Sequence, residues 1–554
     1  MISVPVLRWL LLGGRHRASG LAGVTLVTAM LGVAPASSTS QETPVRASFD
    51  WSTDARFGLD ANGDGVIEIE NTPEFVHNRV PGSCPGTCPP LRVAVKLFAQ
   101  PTPGAVGLPA SGFLSYEWRI SGPTGSGVYH RTGPGLDLFL PEGDHEIDLR
   151  VRVRLPWGSV TLRSRGTMVV DDLLVVAIGD SYASGEGSPD VARGDGAARW
   201  ADSLDMGVRE SHSLAHRSSV GWPARMALAL EDGSRRTSVT FVDLAASGAR
   251  IDRGLLQPRN GPAIPAQLDE VERIVQGRAI DLLLVQVGGN DVGFSRVIRA
   301  LVESDPQLNP FCYETKIANV WASAADGVWD RGTRITYDPP FDFGCEPVAG
   351  TRSVTPGLDG LQNAFTRLAS RLQRIEIEQV LLVEYPDPTG GSPDGGPCDE
   401  ILGDVTAPFG FHEVDSNEQA AAVARLLDPL NRLLQDAAAG NGWTWVGGVA
   451  STYSQGHGYC APWPNYGYPD EFEDAPLLFR RRLNFPEGWY RPPGHYRSSP
   501  LLNQGPVSWY RTAGQSAALQ GPSPRFLTSG TLHPNELGHG VIALLALTAI
   551  AAGD

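Results

Sequence analysis

Two rhythms of apolar and polar residues divide this chain. From Leu91 to Asp172, short runs alternate apolar with polar positions, at Leu91–Phe98, Tyr116–Ile120, Leu136–Leu140, Glu146–Arg154 and Ser159–Val169, with Gly and Pro between them. A period of two puts one set of side chains on one face of a strand, so residues 91–172 are expected to form a small β-sandwich. Beyond Asp172 the rhythm changes. Leu173–Ile178, Val239–Leu244, Asp281–Val287, Gln379–Tyr385 and Trp443–Gly447 are nearly unbroken apolar runs, the pattern of strands covered on both faces of a parallel sheet. Between them, Phe365, Leu368, Leu372 and Ile375 share one face of a helix predicted over residues 362–378. Ser416 and Gln419 form a capping box ahead of another helix. Strand and helix in alternation predict a three-layer α/β/α domain over residues 173–554.

The N-terminus carries Arg8, Arg15 and Arg17, an apolar run from Leu21 to Val33, and Ala34-Pro35-Ala36. This order reads as a signal peptide over residues 1–36, removed on export. The apolar run is shorter than the roughly 20 residues a membrane span needs, so no transmembrane anchor is expected after removal. The expected location is secreted, extracellular or periplasmic. Residues 37–90 read as a tether, mobile over the Ser/Thr-rich stretch 37–50, with a calcium-loop-like segment. In that segment Asp60, Asn62, Asp64 and Glu68 stand at ligand positions and Gly65 at the turn, but position twelve is Asn71 instead of a bidentate Glu. Either a weak structural calcium site or a solvated turn fits. No cofactor is expected for catalysis.

Six cysteines in an exported chain predict disulfides. Proximity suggests Cys84 with Cys88, Cys312 with Cys345 and Cys398 with Cys460, among fifteen possible connectivities. A net charge of -16 disfavours nucleic acid and anionic membrane as partners, since both would repel the chain. Oligomeric state is not legible.

Candidate chemistry lies at the strand ends. Gly179-Asp180-Ser181 follows the first apolar strand, Ala246-Ser247-Gly248-Ala249 the second and Gly288-Gly289-Asn290-Asp291 the third. Ligands of an open parallel sheet bind beyond these ends, so Ser181, Gly248 and Asn290 are expected to converge. A fourth block, Leu532-His533-Pro534-Asn535, supplies the base that a serine hydroxyl requires.

These four blocks, in this order, resemble the SGNH hydrolases, also called GDSL esterases and lipases, and in particular their secreted bacterial branch. The resemblance covers roughly residues 173–552. It implies a flavodoxin-like fold and a carboxylic ester hydrolase with Ser181 as nucleophile and His533 as base. The N–H groups of Ser181 and Gly248 and the Asn290 amide would form the oxyanion hole. Tyr116-Glu117-Trp118 and the run Leu140 to Glu146 loosely resemble a PKD or immunoglobulin-like repeat.

Two departures stand out. Relatives often join a Cys-His-Arg-Ser block to a Cys-Ser-Gly-Ala block by a disulfide, whereas here the residues are Ala215 and Ala246. Relatives also place an Asp three residues before the His, where this chain has Gly530. A Ser181/His533 dyad is therefore expected, with the imidazole N–H on a main-chain carbonyl, that of Gly530; the alternative is a remote Asp or Glu brought to His533 by folding. Asp180 and Asp291 are expected to fix local turns. His539 is expected inside a helix begun by Pro534, and His212, His216, His412, His457 and His495 read as ordinary loop or surface residues.

The substrate is expected to be an ester of a lipid or of an acylated glycan. Segments 294–355 and 459–529 carry Trp321, Trp329, Trp463, Tyr466, Tyr468, Trp489, Tyr490 and Trp509, which suit an acyl pocket or a stacked sugar. A carbohydrate (acetyl) esterase is thus the alternative. A non-catalytic extracellular binding protein is a second alternative, and the intact four blocks weigh against it.

Overall fold

A computed structural model describes residues 47–53, 92–101, 113–155, 158–188, 215–218, 220–259, 264–275, 277–303, 312–329, 331–338, 342–350, 352–353, 355–391, 398, 400–401, 414–461, 508–511 and 530–553. The signal segment, the calcium-loop-like residues Asp60, Asn62, Asp64 and Glu68, and Cys84 with Cys88 lie outside them.

Seven strands come first: β1 (Ala47–Thr53), β2 (Arg92–Pro101), β3 (Phe113–Gly122), β4 (Gly125–Arg131), β5 (Gly135–Pro141), β6 (Gly143–Leu155) and β7 (Gly158–Gly179). β1, β2 and β5 make one antiparallel sheet, while β4, β3, β6 and the first part of β7 make an antiparallel run. Trp51, Val95, Leu97, Trp118, Leu149 and Met168, drawn from both layers, bury their side chains in one cluster. Residues 47–50, expected in a mobile tether, instead belong to β1, paired with β2 from Ala47↔Pro101 to Thr53↔Val95. The reason is that Ala47 and Trp51 reach this core, a pull that outweighs the polar residues around them.

β7 is the joint of the molecule. Its first part pairs antiparallel with β6 from Gly158 to Val170. Its second part pairs in parallel with β8 (Thr237–Asp243) from Asp171 to Ala177 and with β9 (Ile280–Gln286) from Val175 to Gly179. The expected break after Asp172 is therefore absent, and two predicted strands are one. Asp172 is held within the continuous strand by one carboxylate oxygen, Oδ2, which accepts from Thr240 Oγ1 at 2.5 Å and from Arg278 Nη1 at 3.1 Å.

β10 (Ile377–Val383) and β11 (Thr444–Val446) complete a parallel sheet in the order β8-β7-β9-β10-β11. In chain order this is 2-1-3-4-5, a doubly wound sheet whose switch point lies at β7. Leu283 and Leu284 of β9 point to opposite faces and are both fully buried, so both faces are covered. Six helices concern the site: α1 (Ser181–Ser184), α2 (Trp222–Gly233), α3 (Gln267–Val275), α4 (Gly357–Leu372), α5 (Asp428–Asn441) and α6 (Glu536–Gly553). α2 packs against α6. Arg371 of α4 pairs with Asp269 and Glu272 of α3, and α4 packs against α5.

α4 spans 357–372 where 362–378 was predicted; Phe365, Leu368 and Leu372 are buried as the pattern required. Residues 377 onward serve β10 instead. The helix after Ser416 begins there, and its Gln419 side chain donates to the Cys398 carbonyl at 3.1 Å. Cys312–Cys345 and Cys398–Cys460 are disulfides. No helix among the described residues is long and apolar enough to cross a membrane.

Candidate active site

Ser181 stands one residue past Asp180 at the carboxyl end of β7. Gly179, at φ +147°, makes the turn possible: a Cβ there would sit 2.2 Å from the Gln286 carbonyl oxygen. Asp180 caps the one-turn α1 by accepting from the Tyr182 N–H at 3.0 Å, and its other oxygen accepts from Tyr385 Oη at 2.5 Å. Tyr385 Oη in turn accepts from the Gly289 N–H at 3.0 Å. One tyrosine thus links the ends of β7, β9 and β10. Asp180 thus fixes its local turn as expected, whereas Asp291 instead accepts from the Ile251 N–H at 3.2 Å, 40 residues away in the chain, and so ties two loops together.

His533 reaches the same rim from the last loop. Its Nε2 lies 2.8 Å from Ser181 Oγ. Its Nδ1 lies 3.0 Å from the Thr531 carbonyl oxygen, which can only accept, so Nδ1 carries the proton and Nε2 presents a lone pair to the serine hydroxyl. Gly530 was the expected acceptor. Its carbonyl instead takes the His533 main-chain N–H at 3.2 Å and acts more weakly on the ring. The turn that makes this substitution passes through Leu532 at φ +60°, a conformation a branched side chain resists. Two bonds hold it: Leu532 N–H donates to the Arg511 carbonyl at 3.1 Å, and Tyr182 Oη donates to the Leu532 carbonyl at 2.7 Å. No carboxylate is hydrogen-bonded to the ring among the described residues.

Gly248 occupies φ +73° in the loop after β8. Asn290 Nδ2 donates to the Ala249 carbonyl at 3.1 Å, which draws the β9 loop onto the β8 loop. The N–H groups of Ser181 and Gly248 make no hydrogen bond among the described residues. The four blocks therefore meet at one rim, with a base, a hydroxyl and candidate donors for a developing oxyanion. Ala215 and Ala246 are both buried. There the Ser247 N–H donates to the Ala215 carbonyl at 2.8 Å and Arg217 Nε to the Ala245 carbonyl at 2.9 Å. Hydrogen bonds clip the two loops together.

Sequence reasoning missed Glu186 and misread His216. Both are buried, and His216 Nδ1 pairs with the Glu186 carboxylate. Burial pushes Glu186 up, but the His216 charge and hydrogen bond, the His533 ring and the Ser247 side chain outweigh it and bring its pKa down to about 2. The available signal was an acid isolated between Gly185 and Gly187, five residues after the serine. His457 is also buried, stacked on Trp509 with ring centroids 3.6 Å apart. Trp509 is itself fully buried, so it walls no open pocket. His212, His412, His495, Trp463, Tyr466, Tyr468, Trp489 and Tyr490 lie outside the described residues.

His539 lies inside α6 and accepts from the Trp222 N–H at 3.3 Å. α6 begins at Glu536 and not at Pro534, because Asn535 caps it, accepting from the Leu537 and Gly538 N–H groups at 3.0 and 3.1 Å. Burial lowers the His533 pKa below the usual histidine value, with Glu186 pulling in the opposite direction. Next to it, at Leu532, lies a small apolar recess of about 30 Å³, lined by Phe294, Ile298, Pro388, Val423, Leu427 and Leu532 among others. No cluster that could hold a metal exists among the described residues.

No protein-family model matches the chain, and no curated protein matches it either. Solved structures do. An extracellular lipase from Streptomyces rimosus is 16% identical over 67% of this chain and 98% of that one, with a TM-score of 0.34. Phospholipase A1 from Streptomyces albidoflavus NA297 is 17% identical over 67% and 97%, with a TM-score of 0.33. A carbohydrate esterase whose active site displays divergent catalytic and non-catalytic binding functions is 10% identical over 53% and 71%, with a TM-score of 0.17. The similarities are low, and the chemistry rests on the geometry of the rim.

Proposed function

We propose that this chain is a secreted serine esterase or lipase of the SGNH type. The observation that carries the reading is the 2.8 Å contact between Ser181 Oγ and His533 Nε2 at the carboxyl end of a doubly wound sheet, beside Gly248 and Asn290. In this reading Ser181 Oγ attacks the ester carbonyl as its proton passes to His533 Nε2. The carbonyl oxygen becomes an oxyanion held by the N–H groups of Ser181 and Gly248 and by Asn290. Collapse of that intermediate breaks the C–O bond, and His533 returns the proton to the departing alcohol. Water repeats the sequence on the acyl-enzyme.

Three further points support the reading. The low His533 pKa keeps the ring neutral, hence able to accept, at neutral pH. The small recess at Leu532, next to the base, is apolar in its lining, a surface that suits hydrocarbon better than a sugar's hydroxyls. Two disulfides fit an oxidising compartment. The β-layers before residue 173 are read as an appended PKD-like sandwich, and the segment at Asp60 as a structural calcium site; neither takes part in the chemistry.

The test is a chain-length series of aryl esters run beside acetylated polysaccharides, with Ser181→Ala as control. Aryl esters should be turned over faster than acetylated polysaccharides. Ser181→Ala should lose at least about a thousandfold in turnover with an unchanged circular dichroism spectrum. Retained turnover in that variant would remove the assignment.

A further inference from the structure

Arg259 has one buried guanidinium nitrogen that no described residue engages. Its main chain is fixed, because the N–H donates to the Ile264 carbonyl at 2.9 Å. Its side chain packs directly on Gly248: a Cβ on that glycine would lie 2.9 Å from Nη2, 3.1 Å from Cζ and 3.4 Å from Nη1. Nη1 is buried and has no hydrogen-bond partner among the described residues. The acid that acts on it is Glu186, and that carboxylate is already engaged by His216 and the Ser247 side chain. Leaving a buried donor of a charged group unpaired is costly, on the order of 1–3 kcal/mol or more. Arginine does not escape that cost by losing its proton.

A residue kept only for packing on Gly248 would need no charge. A guanidinium fork presents two parallel N–H groups that match the paired oxygens of a carboxylate or a phosphate. We propose that Arg259 forms a subsite for an anionic group of the substrate, a carboxylate or phosphate a few bonds from the scissile carbonyl. The subsite rests on the ester-hydrolase reading for its position beside Gly248. It turns a general esterase into one that prefers acidic esters, in a chain whose net charge of -16 would otherwise repel them.

The experiment measures kcat/KM for two matched pairs: 4-nitrophenyl butyrate against 4-nitrophenyl hemiglutarate, and 1-acylglycerol against 1-acylglycerol 3-phosphate. Each is run with the full-length wild type, Arg259→Gln and Arg259→Lys. The wild type should prefer the anionic member of at least one pair by about tenfold, the size of a good charge-assisted contact. Arg259→Gln should abolish that preference through KM, and Arg259→Lys should restore part of it. The pair that responds identifies carboxylate or phosphate as the group bound. An equal preference in wild type and Arg259→Gln overturns the subsite, and so does a proportional loss on both members, which would make Arg259 a structural or oxyanion residue. If the wild type hydrolyses none of the four, the esterase reading fails. Calorimetric binding of the same compounds then judges the subsite alone: tighter binding of the anionic member, lost in Arg259→Gln, sustains it, and equal binding overturns it.

Discussion

On one side of Ser181, the fully buried Asp180 and Asp291 accept hydrogen bonds from neutral donors, Tyr385 and the Tyr182 N–H for the first and the Ile251 N–H for the second. On the other side Glu186, equally buried, meets the His216 ring. Burial pushes Asp180 up to about 7 and Asp291 to about 8, against the pull of those donors. Glu186 goes the other way, to about 2, because its partner can carry a charge. Depth does not decide whether a carboxylate is ionised; the partner does. The two acids with raised pKa values tie the loops at the strand ends together, while Glu186 acts on both the Ser247 side chain and the His533 ring.

The largest expected effect breaks the ionised side. Glu186→Ala removes one partner of a buried pair and strands the other, which typically costs about 3–5 kcal/mol. Urea unfolding at neutral pH should show this, and Glu186→Ala with His216→Ala together should cost less than the sum of the two single changes. Additive losses would mean that the pair is not coupled.

The next effect is on turnover. Asn290 neighbours Asp291, whose carboxylate holds Ile251, and its amide already points into the Gly248 loop. Asn290→Ala should lower kcat by about a hundred- to a thousandfold with KM little changed, as loss of one oxyanion donor does. A loss confined to KM would place Asn290 in ground-state binding instead.

How much of this was legible in the sequence follows the same division. The unbroken apolar runs gave the parallel strands, since burial on both faces leaves no other pattern. The Gly-Asp-Ser and Gly-Gly-Asn-Asp turns were readable because a strand end followed by glycine has few conformations. The break after Asp172 was misread because an acidic pair looks like a linker until Thr240 and Arg278 arrive from distant positions. Glu186 with His216 was hidden for the same reason: nothing local shows that residues thirty positions apart meet without water. The ring acceptor was missed by one residue, because a positive φ at Leu532 is not expected of leucine.

A smaller effect separates the two sides by pH. Asp180 has a folded pKa raised above its unfolded value near 3.9, so between that value and about 7 the folded state binds the extra proton. Its contribution to stability is greatest below pH 4 and declines as pH rises to 7, by at most about 1.4 kcal/mol per pH unit. Asp180→Asn, which imitates the protonated acid, should therefore gain on the wild type as pH rises through this window. Contributions of His533 and His539 run the other way and cancel in the comparison. Glu186 has the opposite sign, its stabilisation being present above its unfolded pKa and lost as pH falls towards about 2. Thermal melts of both proteins from pH 3 to 8 provide the check, and a constant difference between them would mean that Asp180 is ionised throughout.

The smallest effect concerns His533. Burial lowers His533 and the Glu186 charge partly restores it, so kcat/KM should rise with pH, with its midpoint below the ordinary histidine value of about 6.5, and then stay level. Replacing Glu186 by Gln keeps an oxygen and an N–H in its place but removes the charge. The opposing pull on His533 then disappears, its pKa falls further, and the acidic limb of the profile moves to lower pH. A merely structural Glu186 would lower the plateau and leave the midpoint where it was. The profile is to be taken well below the melting temperature of the variant, so that the stability loss expected at Glu186 does not enter. A midpoint that rises in Glu186→Gln would reverse the sign of the interaction and, with it, the contrast between the two buried carboxylate clusters.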